Sequence, residues 1–349
     1  MGILIAGYYG YRNWGDEGSL ATLLQVLPRK SVCALSGDPA FTEATYGIRA
    51  LPRMEIRAVR RAVRESDALI LGGGSLLQDI TSLRSLLYYL ALIRWGLRAH
   101  GRVLLVGQGV GPLRRRVGRK LVARLLRQVP FLSVRDADSA HLLESLGVSG
   151  ATVDADLTWA LAPQPAHVAL DAGARWVGLA PRPWGDAPVK QAFADLCRHL
   201  HADGYRALLI PMQESQDRAL CEAIAAESGA HPLPPPHHPA QLLGVMAQLE
   251  AVIAVRLHGA IFAASAGVPV LCVSYDPKVD ALAAQLGAPT VPLRALQAGL
   301  VEAWAAFPRD ALRARLQGTV PALQQTAQHL LARVQESTKP FSEPVQGIL

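Results

Sequence analysis

The chain has 349 residues, half of them apolar and 18% charged, a globular composition too long for one ordinary core and suited to two domains of roughly 150 residues each. A formal charge of +7 points to an anionic partner, but Lys and Arg are not interleaved with aromatic residues, which sets nucleic acid aside. Four scattered cysteines without a CxxC pair argue against a disulfide framework or a cysteine zinc site, and no stretch reaches the ~18 apolar residues of a membrane span.

The N-terminal residues run straight into a strand without the basic n-region of a signal peptide, so a cytoplasmic location is expected. Short, continuous apolar runs then alternate with helical patterns. That is the signature of parallel βαβ construction, with helices covering both sheet faces. In the first half the predicted strands are 3–6, 31–35, 68–71, 103–106, 131–134 and 151–153, with helices over stretches such as 82–99 and 118–129. A Pro- and Gly-bearing segment after Ala162 reads as a linker. A second series follows, with strands at 176–180, 207–210, 251–255 and 270–273 and helices near 189–202, 215–228, 239–248 and 258–266. The last helical pattern spans 320–335, and the polar tail after Ser337 is expected to fray. The expected fold is therefore α/β, with two doubly wound Rossmann-like domains facing a cleft: 1–165 as the acceptor side, 170–315 as the donor side, and 316–349 as a C-terminal helix and tail.

In such folds ligands bind in the loops that follow the strands. The first loop, Gly7-Tyr-Tyr-Gly-Tyr-Arg-Asn-Trp-Gly-Asp-Glu-Gly18, matches neither the dinucleotide nor the P-loop glycine spacing. Asp16 can cap the following helix or act in a site, whereas Glu17 reads as structural. Gly72-Gly73-Gly74 after the third predicted strand makes a tight turn whose N–H groups can face a ligand, and Gly107-Gln-Gly-Val-Gly-Pro112 has the same character. Arg135 ends a strand beside Asp136 and Asp138, and is either half of a buried ion pair or a ligand contact. Asp154-Ala-Asp156 resembles a metal-binding DxD, a motif too short to carry a metal assignment.

Residues 114–127 place seven Lys and Arg opposite Leu121, Val122, Leu125 and Leu126, an amphipathic helix with a basic face. Such a face is either simply solvated or makes peripheral contact with an anionic membrane. Apolar helices elsewhere leave room for a homodimer.

In the second half Arg182, Arg256, His258 and Lys278 all lie just after predicted strands of one sheet. Three fixed cations and one titratable imidazole on a single rim suit a compact, multiply charged anion. Strand alternation would turn Arg256 and His258 to one side, with Leu257 between them.

These segments resemble the polysaccharide pyruvyl transferase family, the CsaB type in particular. The matching pieces are GYYGYRNWGDE, GGGSLLQD, GQGVGP, SVRDADS, the Arg182-Pro-Trp loop, RLHGAIFAASAGVPV and SYDPK, spread from residue 3 to about 287. The resemblance implies a glycosyltransferase-B-like pair of domains that uses phosphoenolpyruvate as donor and needs no cofactor. It further implies transfer of pyruvate as a ketal onto a glycan or lipid-linked sugar, typically N-acetylmannosamine of a secondary cell-wall polysaccharide that anchors surface-layer proteins. On this resemblance His258, Asp186 and Asp16 are the expected catalytic groups. Arg135, Arg182, Arg256, Leu257, Lys278, Gly73 and Gly74 are the expected substrate-binding residues, with no metal ligand among them. The competing readings are a nucleotide-sugar glycosyltransferase of the same architecture and a non-catalytic glycan- or membrane-binding protein.

Overall fold

The structure, a computed structural model, describes residues 2–80 and 82–339, so the expectation for the tail falls almost wholly outside the described residues. The described chain divides into two compact units. One holds residues 2–7, 23–157 and 326–339; the other holds 8–22 and 158–325.

The first elements are β1 (Ile3–Tyr9), α1 (Trp14–Leu23), β2 (Val32–Ser36), α2 (Pro39–Tyr46), β3 (Arg49–Pro52), α3 (Ile56–Glu65) and β4 (Ala68–Gly72). They continue with α4 (Leu83–Ala99), β5 (Val103–Gln108), α5 (Arg116–Leu126), β6 (Phe131–Val134), α6 (Ala137–Ser145) and β7 (Thr152–Val153). The second series opens with β8 (Arg175–Ala180), α7 (Val189–Ala202), β9 (Tyr205–Leu209), α8 (Glu214–Ser228), β10 (His231–Pro232) and α9 (Ala240–Met246). It closes with β11 (Ala251–Ala254), α10 (Leu257–Ser265), β12 (Val270–Ser274), α11 (Pro277–Leu286), β13 (Thr290–Pro292), α12 (Leu296–Ala305) and α13 (Arg309–Thr338).

Two parallel sheets result, ordered β3-β2-β1-β4-β5-β6-β7 and β10-β9-β8-β11-β12-β13. Every residue of β4 and β5 is buried, as the continuous apolar runs require when helices cover both faces. The strand order reverses between β1 and β4 in one sheet and between β8 and β11 in the other. At such a switch point the loops leave in opposite directions and open a crevice at the carboxyl ends. Ala180, Ala254 and Cys272 lie level with one another across β8, β11 and β12, so the loops carrying Arg182, Arg256 and Lys278 leave the sheet at one height.

The sequence pattern located the interior strands and passed over β3, β10 and β13. All three are edge strands, and each ends in proline: Pro52, Pro232 and Pro292. An edge tolerates a residue that cannot donate to the ladder and needs fewer apolar side chains, so its pattern is weak. The last helix begins eleven residues before the predicted start, with Gly318 and Pro321 inside it. A buried stripe of Leu312, Leu316, Val320, Ala327, Leu330 and Val334 runs through the apparent break, and packing there overrides local propensity.

Candidate active site

In the second unit α10 begins immediately after β11. Arg256 is its N-cap and Leu257 its first residue. Strand geometry stops at Ala254, so the expected alternation does not govern this segment, and Arg256 and His258 meet different elements. Arg256 is buried, and its Nε and Nη2 donate to Asp217 Oδ2 and Oδ1 at 2.7 and 2.8 Å; Nη2 also reaches Gln216 Oε1 at 2.9 Å. Asp217, fully buried in the first turn of α8, accepts the Gln213 backbone N–H as well, at 2.8 Å. The Arg256 fork is thus locked in place by one carboxylate, and its charge is matched by that carboxylate.

His258 faces the other way. A Cβ added to Gly15 would lie 2.0 Å from its Nδ1, so only glycine lets α1 approach the imidazole this closely. Asp16, 9% exposed, is the next residue of that helix. The preceding loop is pinned to the segment after β9: the Trp14 N–H donates to the Met212 carbonyl at 2.9 Å, and the Glu214 N–H to the Arg12 carbonyl at 3.2 Å. Glu17, fully buried, accepts the Gly10 N–H at 2.8 Å and closes the loop on itself, which makes it structural. The start of α1 and the start of α10 therefore bring Asp16 and His258 into one neighbourhood.

Arg182 and Lys278 occupy the flanking loops. Arg182 Nη1 donates to the Tyr275 hydroxyl at 2.7 Å, and the guanidinium lies 5.0 and 5.1 Å from the Trp184 and Tyr275 ring centroids. The two rings pack on each other at 4.4 Å. A depression of about 400 Å³ beside them is lined by Trp184, Ser274, Tyr275, Asp280 and Arg294. Lys278 sits in the first turn of α11, where Asp276 caps its backbone N–H at 2.9 Å. Asp186 is exposed in the loop before α7 and forms no hydrogen bond or ion pair with a described residue.

The first unit has its own cluster at the carboxyl ends of β4, β5 and β6. Arg135 donates to Asp156 at 3.0 Å, to Ser75 Oγ at 3.1 Å and to Asp136 at 3.4 Å. Burial alone would lower its pKa; Asp156 and then Asp136 reverse that and hold it above the ordinary value. A Cβ on Gly109 would come within 2.6 Å of Ser75 Oγ, which explains the glycine after β5. Gly73 and Gly74 both adopt positive φ, +67° and +71°. The Gly73 N–H is already given to the Val106 carbonyl, and its own carbonyl accepts from Gln108 Nε2. Gly73 thus shapes the turn through its own hydrogen bonds rather than by presenting a donor. Asp154 and Asp156, the DxD pair, engage different arginines, Arg333 and Arg135.

Several site residues carried no sequence signal. Asp217 reads as an acid favouring a helix N-terminus, and nothing ties it to an arginine 39 positions away. Gln216 was equally silent, while Ser75 and Trp184 stood inside quoted motifs with no role assigned to them. Arg53 was missed with β3; it is buried and reaches the Gly7 carbonyl and the Tyr89 hydroxyl.

Solved structures share this architecture along the whole chain. A putative UDP-N-acetylglucosamine 2-epimerase from Listeria monocytogenes aligns at 12% identity over 100% of both chains, with a TM-score of 0.67. The S. aureus MnaA–UDP structure aligns at 10% over 96% of both chains, with a TM-score of 0.65. A glycosyltransferase from Rickettsia africae ESF-5 aligns at 10% over 96% of this chain and 97% of its own, with a TM-score of 0.59. The fold is that of the glycosyltransferase-B class. No curated protein sequence matches. The model of the polysaccharide pyruvyl transferase family matches residues 16–277, well over half of the chain, and the chain belongs to that family, transferases of pyruvyl groups onto polysaccharides. The match begins at Asp16, takes in Arg135, Arg182, Asp186, Arg256 and His258, and stops one residue short of Lys278.

Proposed function

We propose that the chain transfers pyruvate from phosphoenolpyruvate as a ketal onto a sugar, N-acetylmannosamine of a secondary cell-wall polysaccharide or its lipid-linked precursor, in support of surface-layer protein anchoring. The observation that carries this reading is the meeting of α1 and α10 at His258, with a carboxylate-locked Arg256 at the head of α10.

The chemistry needs both kinds of group. Phosphoenolpyruvate brings a carboxylate and a phosphate, which call for cations and N–H donors at a helix N-terminus. Its methylene carbon takes a proton as a sugar hydroxyl adds to C2. The C2–O bond to phosphate then breaks, and a second hydroxyl closes the ketal and loses its proton. His258 is suited to proton transfer near neutral pH, and Asp16 lies in the neighbouring helix to accept a hydroxyl proton; Asp186 is the alternative acceptor. Lys278 and Arg182 from the adjacent loops supply the positive side, while Arg256, its charge matched by Asp217, is fixed in orientation at the head of α10. A lipid-linked acceptor is presented at a membrane surface, which would give the basic segment 114–127 a partner at the inner face of the membrane.

The second reading, a nucleotide-sugar glycosyltransferase, draws on the fold neighbours, among them the MnaA structure with UDP and a glycosyltransferase. Incubation with phosphoenolpyruvate and a lipid-linked N-acetylmannosaminyl-N-acetylglucosamine separates the two. Phosphate release matched by a mass gain on the acceptor supports pyruvyl transfer. Turnover with UDP-sugars alone replaces it, and no turnover with either leaves a binding protein.

A further inference from the structure

The positive charge of the chain is concentrated in one place. Residues 80–135 contain twelve Lys and Arg and no Asp or Glu; the rest of the chain has 23 Lys and Arg against 28 Asp and Glu and is net acidic. These residues build α4, α5 and their connections. β3, β4, β5 and β6 are visited in one direction across the sheet, so right-handed crossovers put α3, α4 and α5 on the same face of it. α3 packs on α4, and α4 on α5.

α5 turns Gly118, Val122, Ala123 and Leu126 inward. Its start is fastened by Asp79, which accepts the Arg114 and Arg115 backbone N–H groups at 2.7 and 2.8 Å. Outward it carries Arg116, Lys120 and Arg124, which with Arg119 form no ion pair with a described residue. Between α5 and the end of α6 these cations line an open groove of about 670 Å³ together with Ser145 and Leu146. α3 extends the face with exposed Arg57, Arg60, Arg61 and Arg64. The acids on and around these elements are Glu55, Glu65 and Asp67 at the ends of α3, and Asp136, Asp138 and Glu144 at and in α6.

Exposed aliphatic side chains stand among these cations: Val117 at 60%, Ile80 at 49% and Leu87 at 41%. Each is the chain neighbour of a residue in one contact, where Gly118 meets Asp79 and Leu86. A polyanion such as RNA would use the cations and leave the aliphatic groups in water, and it would favour exposed aromatic rings to stack on. A bilayer with anionic headgroups uses both, the cations at the phosphates and the aliphatic groups at the acyl boundary.

We propose that the α3–α4–α5 face of the first unit is a docking surface for an anionic lipid bilayer, with the α5–α6 groove taking a phosphate headgroup and Val117, Ile80 and Leu87 entering the interface. The surface lies on helices, away from the loops that carry Arg135, and it stands whether or not the chain transfers pyruvate.

Co-sedimentation of the full chain with vesicles tests it, without phosphoenolpyruvate or acceptor. Vesicles of phosphatidylcholine mixed with phosphatidylglycerol should retain the protein and phosphatidylcholine alone should not, with retention falling as salt rises. At about fivefold per basic residue, the combined variant Arg116→Glu, Arg119→Glu, Lys120→Glu and Arg124→Glu should bind at least about a hundredfold more weakly. Val117→Ser alone, which leaves the charge unchanged, should lose a few-fold, which a purely electrostatic surface would not show. All five positions are at the protein surface, so unchanged thermal melts should accompany these losses. Equal retention on both vesicle types would overturn the proposal. So would wild-type binding by the fourfold variant, or retention of the protein by a single-stranded RNA but by neither vesicle. Vesicle binding in a protein inactive with phosphoenolpyruvate sinks the reaction and leaves the surface standing.

Discussion

In the first unit Arg135 is gathered by side chains from three loops, Ser75, Asp136 and Asp156, each following a different strand. In the second, Arg256 is gripped by two successive residues of one helix, Gln216 and Asp217. Both guanidinium groups are held in place by buried carboxylates, so both are rigid and neither brings an unmatched charge. The difference lies in what stands next to them. Beside Arg256 is an imidazole pressed against α1, together with Asp16 and the loops of Arg182 and Lys278. Beside Arg135 is a turn of glycines in which the Gly73 N–H and carbonyl are already hydrogen-bonded. On the proposed reading the proton is moved at the second cluster, and the first orients a charge.

The most severe way to break this contrast is His258→Ala. General acid–base groups contribute about a hundredfold to ten-thousandfold, so kcat for pyruvyl transfer should fall by that range. The ring is only partly exposed and packs against Gly15, so the thermal midpoint measured alongside should separate lost chemistry from lost packing. Turnover near wild type would move the proton chemistry elsewhere and erase the distinction between the clusters. Asp217→Ala comes next, because it strands a buried guanidinium and should cost about 3–5 kcal/mol of stability in denaturant titration. Asp156→Ala should cost less, about 3 kcal/mol at the lower end of that range, because Asp136 and Ser75 remain beside Arg135. Equal losses would show that the two arginines depend on their partners to the same degree.

The legible part of the molecule follows the same division between local and distant determinants. Interior strands show in the sequence because burial on both faces forces continuous apolar runs, as in β4 and β5. The edge strands β3, β10 and β13 do not, since each ends in proline and has one unpaired side. The cations after β8, β11 and β12 were legible because chain order alone brings Arg182, Arg256 and Lys278 to one rim. Their partners were not. Asp217 finds Arg256 across 39 residues and Gly15 meets His258 across 243, contacts set by how helices pack on the sheet. The strand rule misplaced Arg256 relative to His258 for a related reason, since the helix takes over the geometry within three residues of β11.

Alkaline pH gives a separate reading of each unit. Burial pushes the Cys197 thiol up to about 11 and that of Cys272 to about 12, and raises Cys221 further, all in the second unit. In the first unit the one cysteine, Cys33, is raised by burial too, but only partly enclosed. A raised folded pKa contributes stability that is fully present below the unfolded value of 9.0 and is lost as pH climbs through the folded one. The second unit should therefore weaken more steeply from pH 9 upward, and alkylation should reach Cys33 before Cys197 or Cys272. Labelling of all four thiols together would show that the units open as one.

The smallest expected effect tests how the flanking cation is held. Trp184 is 41% exposed and lies on the same side of Arg182 as the Tyr275 ring it packs against, while the Tyr275 hydroxyl accepts from the guanidinium. At an exposed site a cation–π contact contributes about 0.5–1 kcal/mol, a factor of about two to five. Trp184→Ala should leave stability within that margin and raise KM for phosphoenolpyruvate by about the same factor, with kcat unchanged, because the hydroxyl of Tyr275 still orients the guanidinium. Tyr275→Phe removes the hydrogen bond and keeps the ring, so it should shift KM in the same direction through the other contact. If neither substitution moves KM for the donor while Trp184→Ala raises KM for the sugar, the aromatic pair belongs to the acceptor, and the second cluster serves both substrates.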